Sequence, residues 1–151
     1  MGKIITQQII LDAGDVKNEH ISESTEVDAD KLQHLYKPGT NFDLAIGSTV
    51  ATREEIVFVA SGPGLIRAFS CLLNINGTTG DSDFDLKVNG SSVLTAVVNQ
   101  DNADADKGVK DGVINSSALV AGDIVSIAVT RNSSHDGTGP YAWAEVEEGA
   151  N

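Results

Sequence analysis

Cysteine, proline, aromatic residues and cations are all scarce in this chain. Its 151 residues include one cysteine, three prolines, four phenylalanines, two tyrosines and one tryptophan. The single thiol, Cys71, excludes an internal disulfide. Its place in the apolar run Phe69-Ser70-Cys71-Leu72-Leu73 reads as that of a buried, inert side chain. With aromatics at 5%, the core must be built mainly from Val, Ile, Leu and Ala. Ten basic residues stand against 22 acidic ones, a net charge of −12. That balance argues against a nucleic-acid partner, because affinity for the phosphate backbone is built largely from Lys and Arg. No segment approaches transmembrane length, and Gln7 and Gln8 interrupt the apolar start at Ile4-Ile5, so neither a membrane partner nor a signal peptide is expected. Met1-Gly2 followed by Thr6 fits the loose myristoylation pattern, for which an ordinary start is the plainer reading. The chain reads as made and assembled inside a cell.

Catalytic and metal-binding spacings are missing as well. His20, His34 and His135 are scattered, with no His-x-His or His-Glu-x-x-His pattern to gather a zinc ion. There is no Gly-x-Ser-x-Gly elbow, and Gly62-Pro63-Gly64 lacks the Lys and Ser/Thr of a phosphate-cradling loop. The chain is therefore expected to be no enzyme and to need no cofactor or metal. Asp81, Asp83 and Asp85 alternate as the wet side of a strand would. Asp101, Asp104 and Asp106 crowd a loop whose use by calcium stays open, although neither segment follows the EF-hand pattern. Asn76, Asn89, Asn115 and Asn132 head Asn-x-Ser/Thr sequons, in turns where Asn, Gly and Ser are favoured anyway.

What is present is an array of short apolar runs separated by turn residues. Phe84, Leu86 and Val88 alternate with Asp83, Asp85 and Lys87, the period of a half-buried strand. Asn89-Gly90 follows, a pair that tolerates positive φ at both centres of a type I′ turn, and the chain returns through Val93, Leu94 and Val98. Glu55–Ala60 reads as a central strand buried on both faces. Leu65–Ile75 reads as a long strand with Leu65, Phe69, Cys71, Leu73 and Ile75 on one side. Further strands are expected near Val109–Ile114, Ile124–Thr130 and Tyr141–Val146. About eight strands without a long helix predict an all-β fold, an antiparallel β-sandwich of jelly-roll type. Phe58, Phe69, Leu73, Phe84, Leu86 and Val125 or Ile127 should fill its core.

Residues 1–40 differ from the sandwich of residues 41–151. They hold few core-type positions and read as an N-terminal arm that needs a partner to become ordered. Ile4–Leu11 has the pattern of a strand, and Asp28–Tyr36 that of a short helical turn with Leu32, Leu35 and Tyr36 on one face. Lys31, Leu32, His34, Leu35 and Tyr36 form its densest mixed patch, the candidate contact site. Four of the ten cations, Lys3, Lys17, Lys31 and Lys37, lie in the first 37 residues and suit docking on an acidic surface.

Several segments resemble the outer capsid decoration, or cement, proteins of tailed phages. They are Asp30-Lys31-Leu32-Gln33-His34, Gly64-Leu65-Ile66-Arg67-Ala68-Phe69, Phe84-Asp85-Leu86-Lys87-Val88-Asn89-Gly90 with Ser91-Ser92-Val93-Leu94, and Ala121-Gly122-Asp123-Ile124-Val125. Their order and spacing carry the resemblance more than any one of them. It implies a β-sandwich that forms a homotrimer, binds the major capsid protein and sits on the virion surface after assembly in the host cytoplasm. Two other classes compete with this reading. One is a carbohydrate- or receptor-binding module, for which Tyr36, Tyr141 and Trp143 are the candidate aromatic platform. The other is an extracellular filament subunit that donates Ile4–Leu11 as a strand. Sparse aromatics with no clustered pair count against the sugar reading, and the missing secretion signal counts against the filament.

Overall fold

Alternation with a period of two, broken at a few turns and bulges, organises the whole chain. The computed structural model describes residues 34–42, 48–132 and 134–149. Among these it contains strands and turns and no helix. The strands are β1 (His34–Tyr36), β2 (Gly39–Asn41), β3 (Arg53–Val59), β4 (Gly64–Ile75), β5 (Asp81–Val88) and β6 (Ser91–Ser92). After them come β7 (Val98–Asp101), β8 (Lys110–Asp111), β9 (Ala118–Leu119), β10 (Ile124–Asn132) and β11 (Thr138–Glu148).

They form two antiparallel sheets. In the first, β1 and β2 pair with β11, β11 with β4, and β4 with β8 and β9. In the second, the order is β3, β10, β5, with β5 also pairing β6 and β7. Six of the ten connections cross between the sheets, and in-sheet neighbours are rarely sequence neighbours. This is the strand order of a jelly roll, two Greek keys folded face to face. The all-β sandwich expected from the sequence is therefore present, as is the jelly-roll connectivity.

The core lies where the two inner faces meet. Phe84 and Leu86 of β5 pack with Val125, Ile127 and Val129 of β10, all fully buried, against Phe69, Cys71 and Leu73 of β4. Small residues of β11 lie beside large ones of β4: Ala144 opposes Phe69, and Ala142 opposes Cys71. That alternation of small and large residues along one inner face gives the facing sheet room to pack. Burying a side chain as large as Leu or Phe contributes about 1.5–3 kcal/mol, so these few positions dominate stability. The hairpin after β5 turns at Asn89 (φ 49°) and Gly90 (φ 80°), the two positive angles of a type I′ turn.

Four expectations need correction. Residues 34–36 are strand and not helical turn: His34, Leu35 and Tyr36 oppose Glu148, Glu147 and Val146, and this ladder overrides a weak helical spacing. Strand pleating also puts Leu35 and Tyr36 on opposite faces. The sheet thus begins within the stretch read as arm, whereas Ile4–Leu11, Lys31 and Leu32 lie outside the described residues. Glu55–Ala60 belongs to an edge strand and not a central one; Ile56 is 66% and Val59 56% exposed, and Phe58 is only partly buried. In β4 the pairing skips Arg67, since Glu145 opposes Ala68 and Val146 opposes Ile66. This β-bulge reverses the alternation, so Ile66 is buried in place of Leu65, and Ile75 at the strand end is exposed. Only Lys110–Asp111 of the expected 109–114 strand is paired as one, although Ile114 bridges to Leu94.

The register predicts a sharp contrast on β5. Leu86→Ala should cost about 2–5 kcal/mol by opening a cavity, and Asp85→Asn on the opposite face under about 0.5 kcal/mol. Urea unfolding midpoints measure both, and equal losses would mean that the two faces are exchanged.

Candidate functional site

The edge where β1 and β2 run along β11 joins the candidate arm patch to the sandwich. Pairing with Val146 and Glu148, both buried, directs Tyr36 and His34 toward the inter-sheet side. The Tyr36 ring lies 5.5 Å from Phe58 of β3, so it closes the sandwich across the two sheets. His34 lies 6.2 Å from Tyr36. Leu35 opposes Glu147 on the other face and is 58% exposed. Lys37 forms an ion pair with Glu145 at 2.6 Å, and Pro38 accepts a hydrogen bond from the Ala144 amide. The structure therefore divides His34, Leu35 and Tyr36 between two faces and does not gather them into one patch.

On the outer face of the same sheet, alternation along β11 points Tyr141, Trp143, Glu145 and Glu147 outward, because Ala142, Ala144 and Val146 are buried. Glu145 and Glu147 are charge-paired, to Lys37 and to Arg67. The Arg67 hydrogen bond holds the Glu147 carboxyl below its ordinary range. Tyr141 and Trp143 instead form an aromatic pair, with centroids 5.6 Å apart and planes tilted by 34°. With Lys37 and Leu72 they line an open cavity of about 370 Å³. A Cβ on Gly39 would stand 2.9 Å from Tyr141 Oη and 3.0 Å from Trp143 Cβ, so the absence of a side chain there leaves room for the pair. A clustered aromatic pair is what the sequence reading missed. The i, i+2 spacing in an alternating strand was its signal, whereas Tyr36, the third candidate, packs on Phe58.

A second cavity, about 450 Å³, lies between residues 95–99 and 110–113. It is framed by the hydrogen bond from Thr95 N to Val113 O and lined in part by the exposed Val97 and Val113.

Buried polar groups gather at one end of the core. His135 and Ser82 are both fully buried. His135 Nε2 is 2.8 Å from the Asn76 carbonyl oxygen, which can only accept, so Nε2 donates. Nδ1, 2.8 Å from Ser82 Oγ, then accepts the serine proton. This serine–histidine pair is closed to solvent, and both imidazole nitrogens are used in holding turns together. Asn76, the first residue of a sequon, is likewise buried and donates to Ala105 O. Burial pushes the Cys71 thiol up to about 12, which keeps it protonated and unreactive.

The acidic loop residues serve the chain itself. Asp101 Oδ1 accepts from Ala103 N, Asp106 Oδ1 from Asn76 N, and Asp104 Oδ2 from Asp101 N and Lys110 Nζ. Asp81 and Asp83 accept from the carboxamides of Asn99 and Asn132. Among the described residues, no three His, Cys, Asp or Glu side chains gather as a metal-binding group.

Two stability predictions follow from these contacts. His135→Leu strands the Ser82 hydroxyl and the Asn76 carbonyl, each at about 1–3 kcal/mol, and Ser82→Ala should cost less. The second concerns acid. The amides of Thr79 and Thr78, then the Thr78 hydroxyl, hold Asp136 far below the usual carboxylate range. The Val120 amide and the Asn89 carboxamide lower Asp123. Folded values below unfolded ones mean stability that is complete above about pH 4 and lost as pH falls further. Urea midpoints should drop below that pH, and Asp136→Asn should lower stability at pH 7 while flattening the acid slope. An unchanged slope in the variant would rule out Asp136 as a source of the acid sensitivity.

Comparison with known proteins brings no relative to this geometry: the chain matches no protein-family model, and a search of curated proteins finds no significant match.

Proposed function

We propose that the protein is a structural component of a tailed-phage virion that binds the outside of the capsid as a decoration protein. Its partners are the major capsid protein and two further copies of itself. The observation that carries this reading is the aliphatic exposure of the strands that end the two sheets among the described residues. There β1 and β2 end one sheet and β3 ends the other. Leu35, Ile56 and Val59 are all more than half exposed on these strands. A monomeric β-protein normally blunts its edges with charge, bulges or covering loops, and β3 does so with Arg53, Glu54, Glu55 and a bulge at Val57, yet leaves Ile56 and Val59 exposed. Edges that expose Leu, Ile and Val suit burial against a neighbouring subunit or a capsomer.

The resemblance of the sequence to decoration proteins supports the same reading, and so does the pairing of His34–Tyr36 with β11. The chain before His34 is tied to β11 through β1, so a rigid sheet would hold the arm at its root. Lys37 already pairs with Glu145, and Lys3, Lys17 and Lys31 of the arm lie outside the described residues.

Deleting residues 1–33 spares every described strand, so the truncated protein should fold and remain a trimer by sedimentation equilibrium. It should no longer co-sediment with capsids assembled from a co-expressed tailed-phage major capsid protein, whereas the full chain does. Ile56→Lys should dissociate the trimer. Undiminished capsid binding by the truncated protein would remove the role of the arm. A full chain that neither trimerises nor binds capsids would overturn the proposal.

A further inference from the structure

We propose that the outer face of the six-stranded sheet carries a carbohydrate-binding platform, formed by Tyr141 and Trp143, for an extended β-1,4-linked pyranose chain. The inference is independent of the capsid reading.

The placement of these rings is not required by the fold. Three of the four phenylalanines are fully buried and the fourth packs against the core. The sole tryptophan and one of two tyrosines instead stand side by side on an outward face, with Tyr141 40% exposed. The two outward positions that follow on β11, Glu145 and Glu147, are paired to cations. A face needing only solvation would continue that pattern through 141 and 143. The opposing position, Gly39, has no side chain to crowd the rings, and Leu72 of β4 extends the apolar floor.

The chemistry of the patch selects its ligand. A pyranose with equatorial hydroxyls has a flat face of axial C–H bonds and a rim of hydroxyls. Aromatic faces take the C–H surface, and polar groups at the margin take the hydroxyls. Here the Lys37–Glu145 ion pair borders the rings and supplies both donors and acceptors. Two rings set along one strand, with centroids 5.6 Å apart and planes inclined at 34°, offer two adjacent stacking surfaces. A straight β-1,4-linked chain can lie on both rings, whereas a helically bent α-linked glucan meets one.

Trp143 is the only tryptophan, so intrinsic fluorescence reports on the site directly. Chitohexaose and cellohexaose would be titrated into the full chain, with maltohexaose as the contrast. The expected result is a saturable emission shift for at least one β-linked hexamer, with Kd of about 0.1–1 mM and much weaker binding of maltohexaose. Tyr141→Ala should weaken that binding about tenfold with little change in the melting curve, since Tyr141 is an exposed outer-face residue. If Tyr141→Ala does not fold, Leu72→Lys, which alters the same floor from the adjoining strand, is read in the same way. No saturable shift with either β-linked hexamer would overturn the platform, as would undiminished affinity in the variant or equal affinity for maltohexaose. Capsid co-sedimentation by Tyr141→Ala separates the two readings: it should persist if arm and edges make that contact, and its loss would place the rings in the capsid interface instead of a sugar site.

Discussion

Strand β11 is the constraint on which the rest of the molecule depends. It pairs with β4 over most of its length on one side and with β1 and β2 on the other. Its even-numbered positions put Ala142, Ala144 and Val146 into the core, and its odd-numbered positions build the outer face. A slip of one residue would bury Tyr141, Trp143 and two glutamates and expose the three core residues, a change no local adjustment could offset. The bulge at Arg67 works within this constraint. It absorbs one residue of β4, so that Ile66 and Phe69 both reach the core while β11 keeps its phase.

With one cysteine and no gathered metal ligands among the described residues, the loops at the polar end are held by hydrogen bonds and the Lys110–Asp104 ion pair. His135 links Ser82 on β5 to the Asn76 carbonyl after β4, and Asp136 grips the amides of Thr78 and Thr79. Gly77 is required here on two counts. Its φ of 76° is left-handed, and a Cβ would lie 2.2 Å from Asp136 Oδ1. Directional contacts of this kind fix turns as a disulfide would, but their carboxylates make them dependent on pH.

The sequence made β5, β10 and the Asn89-Gly90 turn legible, because each is a clean alternation bounded by residues with restricted backbone preferences. Phe69, Leu73, Phe84, Leu86, Val125 and Ile127 fall in the core for that reason. It misled where alternation is interrupted or where burial depends on neighbours distant in sequence. The apolar run of β3 has the composition of a central strand, and only the sheet order shows that it lies at an edge. Leu65 and Ile66 differ in burial through a bulge that leaves no local signature. The helical spacing of Leu32, Leu35 and Tyr36 gave way, at residues 34–36, to pairing with a strand more than a hundred positions later. Of the candidate site, His34, Leu35 and Tyr36 could be found by composition. Their division between faces could not, because it follows from pairing.

The two surfaces left apolar differ in kind, and this bears on what each can bind. Among the described residues, the β1–β3 side combines end-of-sheet strands with aliphatic side chains. That combination fits a macromolecular partner whose own backbone or subunit edge can complete the sheet. Strand β11 is paired with β4 on one side and, at residues 141–143 and 146–148, with β2 and β1 on the other, so its outer face offers chiefly side chains, two aromatic rings bordered by an ion pair. Such a face suits a ligand recognised through ring stacking and peripheral hydroxyls. One strand thus supplies its side chains to the second surface and its backbone to the strands that bound the first.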